Sequence, residues 1–187
     1  MKESVGVMTN QRVRVTKQLI KDALAGLLCS ADAHQISISG LCQAAKVNRS
    51  TFYAHYKDIE EVIADIEAEF LEHVAFLSWK SPREENRAAL QMYLEYVTGH
   101  KAAYTALIKS GRLLDKGAQI AVERYLAGVR SKDAPEVKKQ CLVISGSCVG
   151  ATYMINRWLE TQECSMQELT GILLDLFAYA SQGNNAS

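Results

Sequence analysis

Residues 37–57 bring together side chains whose types and spacing suit contacts with a nucleic acid. The segment is SISGLCQAAKVNRSTFYAHYK, in which Arg49, Ser50 and Thr51 supply hydrogen-bonding groups and Tyr53 adds a ring with a polar tip. Guanidinium and hydroxyl groups are the ones that contact base edges and phosphates in the grooves of DNA. The segment therefore predicts DNA binding.

The residue types of catalysis and metal binding form no comparable pattern. Neither the four histidines nor the five cysteines show metal-ligand spacing, and no acid pair or Ser-His arrangement suits catalysis. The sequence therefore predicts no enzyme, no metal and no cofactor. The cysteines form no CxxC pair and the chain opens without a signal segment, which predicts free thiols in a reducing cytoplasm.

Two short helices are needed to position the polar side chains of residues 37–57. Apolar residues recur at i, i+3, i+4 and i+7 over 38–45, and Ser37 or Ser39 can cap that helix. The periodicity breaks before Asn48, which can cap a second helix whose buried member is Phe52. The spacing thus predicts a helix-turn-helix.

The rest of the chain also predicts helices, so the expected fold class is all-α. Only two prolines occur, and nothing resembles alternating strands and turns. Residues 1–13 show no apolar periodicity, which predicts a mobile N-terminal arm. Apolar periodicity, capping residues and Gly-containing breaks beyond it predict about nine helices. Their expected bounds are about 16–30, two within 37–57, 58–77, 81–98, 101–109, 113–129, 135–159 and 165–180.

The charge of the chain is unevenly distributed. Residues 1–57 hold eight Lys and Arg against three acids, a net charge of +5, and the remainder carries −5. A polyanionic partner is therefore expected at the N-terminal end. The longest uncharged run, 140–156, is marginally too short to span a bilayer and predicts a buried helix, not a membrane contact.

The motif and the order of helices resemble the tetracycline-repressor (TetR) family of bacterial one-component transcription regulators. The resemblance is strongest over 14–66, where ISISGLCQAAKVNRSTFYAHYKDIEEVI is similar to the family's turn, STFYxHF-like recognition helix and capped fourth helix. It implies a DNA-binding domain over 14–60, with the motif at 37–56, and a C-terminal ligand-binding and dimerisation domain over 61–187. It also implies a cytoplasmic protein that associates with the bacterial nucleoid when bound to DNA.

The resemblance also assigns roles to individual residues of the motif. Ser37 would cap the first short helix and contact phosphate, and Arg49, Ser50 and Thr51 would face base edges. The DNA-contacting set that it implies is Ser37, Ser39, Lys46, Asn48, Arg49, Ser50, Thr51, Tyr53, His55, Tyr56 and Lys57. Lys46 departs from the family, which usually has glycine there, and a positive φ at this position would cost Lys46 about 1 kcal/mol.

The last two helices are the most hydrophobic, and periodicity alone leaves open whether they bury each other or a second copy. The resemblance favours a homodimer. The expected interface is Gly146, Gly150, Met154, Trp158, Leu169, Leu173, Leu176 and Phe177. Aromatic rings with polar tips in the C-terminal part suit an amphipathic effector, although ordinary packing is the alternative. These are Tyr93, Tyr96, His100, Tyr104, Tyr125 and Tyr153.

The leading hypothesis is a dimeric repressor that binds a palindromic operator in double-stranded DNA and responds to a small molecule. A second hypothesis is a DNA-associated adaptor whose C-terminal domain binds a protein and no small molecule. A third, a helical-bundle enzyme or carrier that keeps the N-terminal fold as a scaffold, predicts no salt-dependent DNA affinity.

Overall fold

The computed structural model describes residues 2–74 and 83–182. Within them the chain forms nine α-helices, one 3₁₀ turn and no strand, which confirms the all-α fold class. The helices are α1 Lys2–Leu28, α2 Ile38–Ala44, α3 Arg49–Tyr53, α4 Ile59–Val74, α5 Arg83–Gly99, α6 Lys101–Lys109, α7 Arg112–Ala127, α8 Pro135–Thr161 and α9 Met166–Gln182, with the 3₁₀ turn at Ala33–Gln35.

The predicted start of α1 differs from the structure, and two other predicted bounds cannot be compared with it. α1 begins at Lys2, so the arm expected over 1–13 is wrong for residues 2–13. Apolar periodicity marks only the part of a helix that packs on a core, and the first turns of α1 lack that stripe. The predicted helix start at 81–82 and the predicted end of the fourth helix at 77 lie outside the described residues.

Contacts within the chain define two compact units, Met1–Glu69 and Phe70–Ser187. The division falls within α4. The assignment of 14–60 to DNA binding, and of 61–187 to ligand binding and dimerisation, stays a prediction about function.

The first unit is built around a small apolar core. α1 contributes Ile20 and Leu24, α2 contributes Leu41, and α4 contributes Val62, all of which are completely buried. The apolar stripe of α1 therefore packs on α2, as its periodicity predicts, and α3 contacts α2. Three helices of this size bury little surface alone, and α4 completes the core.

In the second unit, α8 lies against α6, α7 and α9. Its inward face carries Ile144 and Ile155, which are 1% and 3% exposed. A hydrogen bond stabilises the turn between α8 and α9, because the indole nitrogen of Trp158 donates to the carbonyl oxygen of Cys164 at 2.8 Å. The predicted start of α9 is confirmed, because the Ser165 amide donates to Glu168 and the Glu168 amide donates to the Ser165 hydroxyl.

The described residues include no helix that is both long and apolar enough to cross a bilayer. Among the same residues, no three His, Cys, Asp or Glu side chains converge in a way that could hold a metal ion. The five cysteines form no disulfide among the described residues, and burial raises the pKa of the Cys148 thiol to about 11.

Candidate nucleic-acid interface

α2 and α3 form the predicted helix-turn-helix, and each begins at the predicted cap. The Ser37 hydroxyl accepts a hydrogen bond from the Gly40 amide at 3.0 Å. The Asn48 side-chain oxygen accepts from the Thr51 amide and the Ser50 hydroxyl, both at 2.7 Å. These bonds satisfy amides that have no partner inside their own helices, so the two caps set where α2 and α3 begin.

The turn between α2 and α3 closes with a Schellman pattern centred on Lys46. The Val47 amide donates to the Cys42 carbonyl at 3.0 Å, and the Lys46 amide donates to the Gln43 carbonyl at 3.2 Å. This closure requires a left-handed residue, and Lys46 has φ of +55°. The positive φ that would penalise a non-glycine residue is therefore present, while the Lys46 side chain remains exposed.

α3 is only five residues long, and of those five only Phe52 is buried, with none of its surface exposed. The Phe52 ring lies edge-on to Tyr53 at 5.5 Å between centroids. Arg49 and Ser50 are exposed, and Tyr53 keeps 51% of its surface exposed. The helix therefore presents a basic, a hydroxyl and a phenolic side chain to solvent.

Most of the predicted DNA-contacting residues share this accessible character. Exposed side chains are Ser37, Ser39, Lys46, Asn48, Arg49, Ser50, Tyr53 and Lys57, and Thr51 and His55 are half-buried. The prediction for Tyr56 is wrong, because its ring is 3% exposed and belongs to the core. Its hydroxyl is also engaged, as a donor to Asp65 at 2.6 Å, and is not available to a phosphate.

Asp65 and Lys17 are two residues of this region that sequence reasoning missed. Lys17 Nζ lies 3.1 Å from Asp65 Oδ2, the atom that also accepts from Tyr56. One turn further along both helices, Lys21 pairs with Glu69. The sequence does contain a signal for these ion pairs, because α1 has two bases four residues apart and α4 has two acids four residues apart. Residues at this spacing lie on one face of each helix and can pair when the two helices pack side by side.

The pKa values of Tyr56 and Asp65 shift in opposite directions at this junction. Burial, followed by the hydrogen bond to Asp65 and the charges of nearby acids, raises the pKa of Tyr56 well above its usual range. Burial alone would raise the pKa of Asp65, but hydrogen bonds from Tyr56 and Lys17 and the charges of Lys17 and Lys21 hold it below the ordinary value. Tyr56 thus stays a neutral donor and Asp65 a charged acceptor.

Four of the predicted effector-binding residues, Tyr93, Tyr96, His100 and Tyr104, lie together with Phe70 and His73 in one aromatic cluster of the second unit. Tyr96 stacks on His73 at 3.7 Å between centroids and lies 4.2 Å from His100. Phe70 lies 5.1 Å from Tyr96 and 5.5 Å from Tyr104. The buried hydroxyls of Tyr93 and Tyr104 are hydrogen-bonded to each other, and burial raises the pKa of both.

The other two predicted effector-binding residues are placed differently. Tyr153 is 62% exposed on α8, where it hydrogen-bonds Arg157, so it is not one of the buried rings, and its part in an effector pocket stays a prediction. Tyr125 is half-buried on α7 with Cys141 of α8 beside it. Spacing within one helix can place a ring on a face, but it does not show whether that face is covered.

Three residues of the predicted dimer interface are buried within a single chain. Trp158, Leu169 and Leu173 are 6%, 3% and 0% exposed within one chain, so they belong to its own core and cannot contact a second copy. Gly146 and Met154 are exposed, and Gly150, Leu176 and Phe177 are half-buried. The large apolar side chains left exposed on α8 and α9 are Leu142, Val143, Val149, Tyr153, Met154, Ile172 and Tyr179.

Comparisons with known proteins point to one fold. No protein-family model matches the chain. It is 39% identical over 50 residues to the HTH-type dhaKLM operon transcriptional activator DhaS of Lactococcus lactis subsp. lactis, a match that covers 27% of each chain. The chain thus spans about a quarter of the length of this curated relative.

Two solved structures extend the likeness to most of the chain. A TetR-family transcriptional regulator from Streptomyces coelicolor aligns with a TM-score of 0.63 at 18% identity, covering 88% of this chain and 81% of that one. A TetR transcriptional regulator from Streptococcus agalactiae 2603V aligns with a TM-score of 0.57 at 17% identity, covering 92% and 98%. The likeness establishes the overall architecture.

Proposed function

We propose that this chain, which has the fold of TetR-type regulators, is a transcriptional regulator that binds DNA with α3. The observation that carries the proposal is the exposure of Arg49, Ser50 and Tyr53 on a helix held by one buried ring, Phe52. Such a helix can enter a major groove without losing its attachment to the core. The net charge of +5 over residues 1–57 supplies the attraction to phosphate.

Specificity would come from the first turn of α3 and affinity from the residues around it. The Arg49 guanidinium can donate two hydrogen bonds to a guanine edge, a contact that discriminates by about 1–3 kcal/mol. The Tyr53 hydroxyl and Lys57 would donate to backbone phosphates on either side. Ser37 accepts from Gly40 in its cap, which leaves its hydroxyl hydrogen able to donate to a phosphate.

We propose that the active form is a homodimer that pairs through the outward faces of α8 and α9. Leu142, Val149 and Tyr153 are spaced by seven and four residues on α8, and Ile172 and Tyr179 by seven on α9. Both sets therefore form helical stripes, and exposed apolar stripes of this kind mark protein contacts. Two recognition helices set about 34–36 Å apart would then bind the half-sites of a palindrome in successive major grooves.

A small-molecule effector in the second unit is part of this proposal. The Thr105 hydroxyl on α6 and the Asn156 side-chain oxygen on α8 are buried without a hydrogen-bond partner. A ligand that donates to them would favour one arrangement of the helices and so shift the population that can bind DNA. Repression is the proposed outcome, although the relative DhaS is named as an activator of its operon.

The packing of the aromatic cluster supports a second candidate function, a DNA-associated adaptor without a small-molecule effector. Its rings already contact one another, with Tyr96 between His73 and His100. A thermal-shift screen against amphipathic compounds separates the two candidates. Reproducible stabilisation supports the effector, and none across a diverse set supports the adaptor.

The main proposal is tested by selecting binding sites from random duplex DNA at a stated salt concentration. We expect enrichment of a palindrome, and no enrichment would refute DNA recognition. On the selected site, Arg49→Ala should weaken binding by about 5- to 150-fold, the range that corresponds to 1–3 kcal/mol. Arg130→Ala, which removes the same charge from an exposed position of the second unit, should leave the affinity unchanged.

A further inference from the structure

We infer that Asp65 is a positioning residue for the recognition helix, because one of its carboxylate oxygens joins α1, α4 and the segment that follows α3. The inference rests on the proposed function, since it concerns how the DNA-contacting face is held. Asp65 itself is not among the residues expected to contact DNA.

The geometry at Asp65 brings three elements to a single atom. Tyr56 donates to Asp65 Oδ2 at 2.6 Å and Lys17 donates to the same oxygen at 3.1 Å. The Lys17 ammonium also lies 4.9 Å from the centroid of the Tyr56 ring, within cation–π range. The Asp65 side chain is 31% exposed and Tyr56 is 3% exposed, so the junction is shielded on the tyrosine side.

Tyr56 matters to DNA contact because α3 has few attachments of its own. A five-residue helix is not stable alone, and the completely buried residue of α3 is Phe52. Tyr56 lies 6.1 Å from Phe52 between ring centroids and provides a second point of attachment just after the helix. With Phe52 alone, α3 could pivot about one ring, and the pair of rings prevents this. Asp65 sets the place of the second ring.

The loss of the Asp65 charge and the loss of its hydrogen bonds should change the affinity for DNA in opposite directions. Removing a negative charge from a unit that binds DNA strengthens its attraction to phosphate. Releasing Tyr56 and Lys17 from α4 instead disturbs the arrangement of Arg49 and Tyr53. Because a hydrogen bond to a charged group is stronger than one between neutral groups, the second effect should dominate binding to a specific site.

The test compares four variants by their affinity for the selected operator and for an unrelated duplex at one salt concentration. Asp65→Ala removes the acceptor and the charge, Asp65→Asn removes only the charge, and Tyr56→Phe removes only the donor. Glu60→Ala is the matched control, because Glu60 is an exposed acid on the same helix. Thermal unfolding of each variant establishes that it is folded.

We expect Asp65→Ala and Tyr56→Phe to bind the operator about tenfold more weakly than wild type, with affinity for the unrelated duplex unchanged or higher. Asp65→Asn should bind within about threefold of wild type, since its side-chain oxygen can still accept both hydrogen bonds. Glu60→Ala should bind as tightly as wild type or more tightly. If Asp65→Ala proves unfolded, Tyr56→Phe decides alone.

Two results would overturn the inference and leave the proposed function intact. One is that Asp65→Ala binds the operator as tightly as Glu60→Ala. The other is that Tyr56→Phe binds the operator as tightly as wild type, because the Tyr56 hydroxyl is the group through which Asp65 would hold the second ring. Failure of the wild-type protein to select any duplex would instead refute the proposed function.

Discussion

Replacing Lys46 by glycine should stabilise the protein while weakening its contact with DNA. Lys46 lies two positions after Ala44, the last residue of α2, with φ of +55° and both hydrogen bonds of the Schellman closure formed. Glycine is the residue most often found there, because it has no Cβ to meet the neighbouring carbonyl oxygen. The backbone is already in the required conformation, so glycine needs no rearrangement.

The expected gain follows from two opposing terms. A left-handed conformation costs an L-residue about 1–2 kcal/mol, which Lys46→Gly would recover. Glycine loses more conformational freedom on folding, which offsets about 0.5–1 kcal/mol of that gain. The net increase in the free energy of unfolding is about 0–1.5 kcal/mol and centres at about 0.75 kcal/mol. The central value corresponds to a rise of about 0.4 M in the urea midpoint for a slope of about 2 kcal/mol/M.

Lys46→Ala is the matched control, because it removes the same side chain but keeps a Cβ in the left-handed region. Urea unfolding should rank Lys46→Gly above both Lys46→Ala and wild type. Gln162, with φ of +52° at the end of α8, offers a second comparison in the other unit. Gln162→Gly should gain less, because the Gln162 side chain donates to the Trp158 carbonyl and that bond would be lost.

DNA binding provides an independent check on the same variants. If Lys46 neutralises one phosphate, both Lys46→Gly and Lys46→Ala should reduce the slope of log affinity against log salt by about 0.9. Stability would then separate the two variants while salt dependence would not. Equal stability of Lys46→Gly and Lys46→Ala would refute the reasoning about φ, since only the Cβ differs between them.

Two further predictions follow from the exposed faces and from the charges. Leu142→Glu places a charge on the proposed pairing face and should shift the protein from dimer to monomer in sedimentation. The control is Met92→Glu, at a position 65% exposed on α5, which should leave the dimer intact. A persistent dimer in Leu142→Glu would contradict the proposed pairing face. The pKa of Asp65 is lower in the folded protein than in the unfolded chain, so the ionised Asp65 carboxylate stabilises the fold. This stabilisation is complete above the unfolded-state pKa of about 4 and is lost as the pH falls through the folded-state pKa. Wild type should therefore lose more free energy of unfolding between pH 5 and pH 3 than Asp65→Asn, and equal losses would count against this linkage.

Helix positions and caps were predictable from the sequence because their signals are local. Ser37 and Asn48 cap α2 and α3, and Ser165 caps α9, each through a bond from the amide three residues further on. Apolar periodicity likewise placed Phe52 in the core. A cap or a stripe depends only on residues within one or two helical turns, so a single sequence contains the necessary information.

Long-range contacts were not predictable in the same way. Tyr56 has a ring that suits the core and a hydroxyl that suits phosphate, and only its distance to Asp65 decides between them. α8 and α9 are apolar on more than one face, so the periodicity could not separate the inward Leu173 from the outward Ile172. Both decisions depend on which helix lies opposite, which local spacing does not determine.

The way α3 is attached has a consequence for how a regulator of the proposed kind can evolve. Phe52 holds the helix, while Arg49 and Ser50 point away from the core. Substitutions at exposed positions of this sort usually change stability by less than about 0.5 kcal/mol. After gene duplication, one copy can therefore acquire a new operator by successive changes on α3 and remain folded at every step, so that divergence of regulatory networks does not compete with maintenance of the fold.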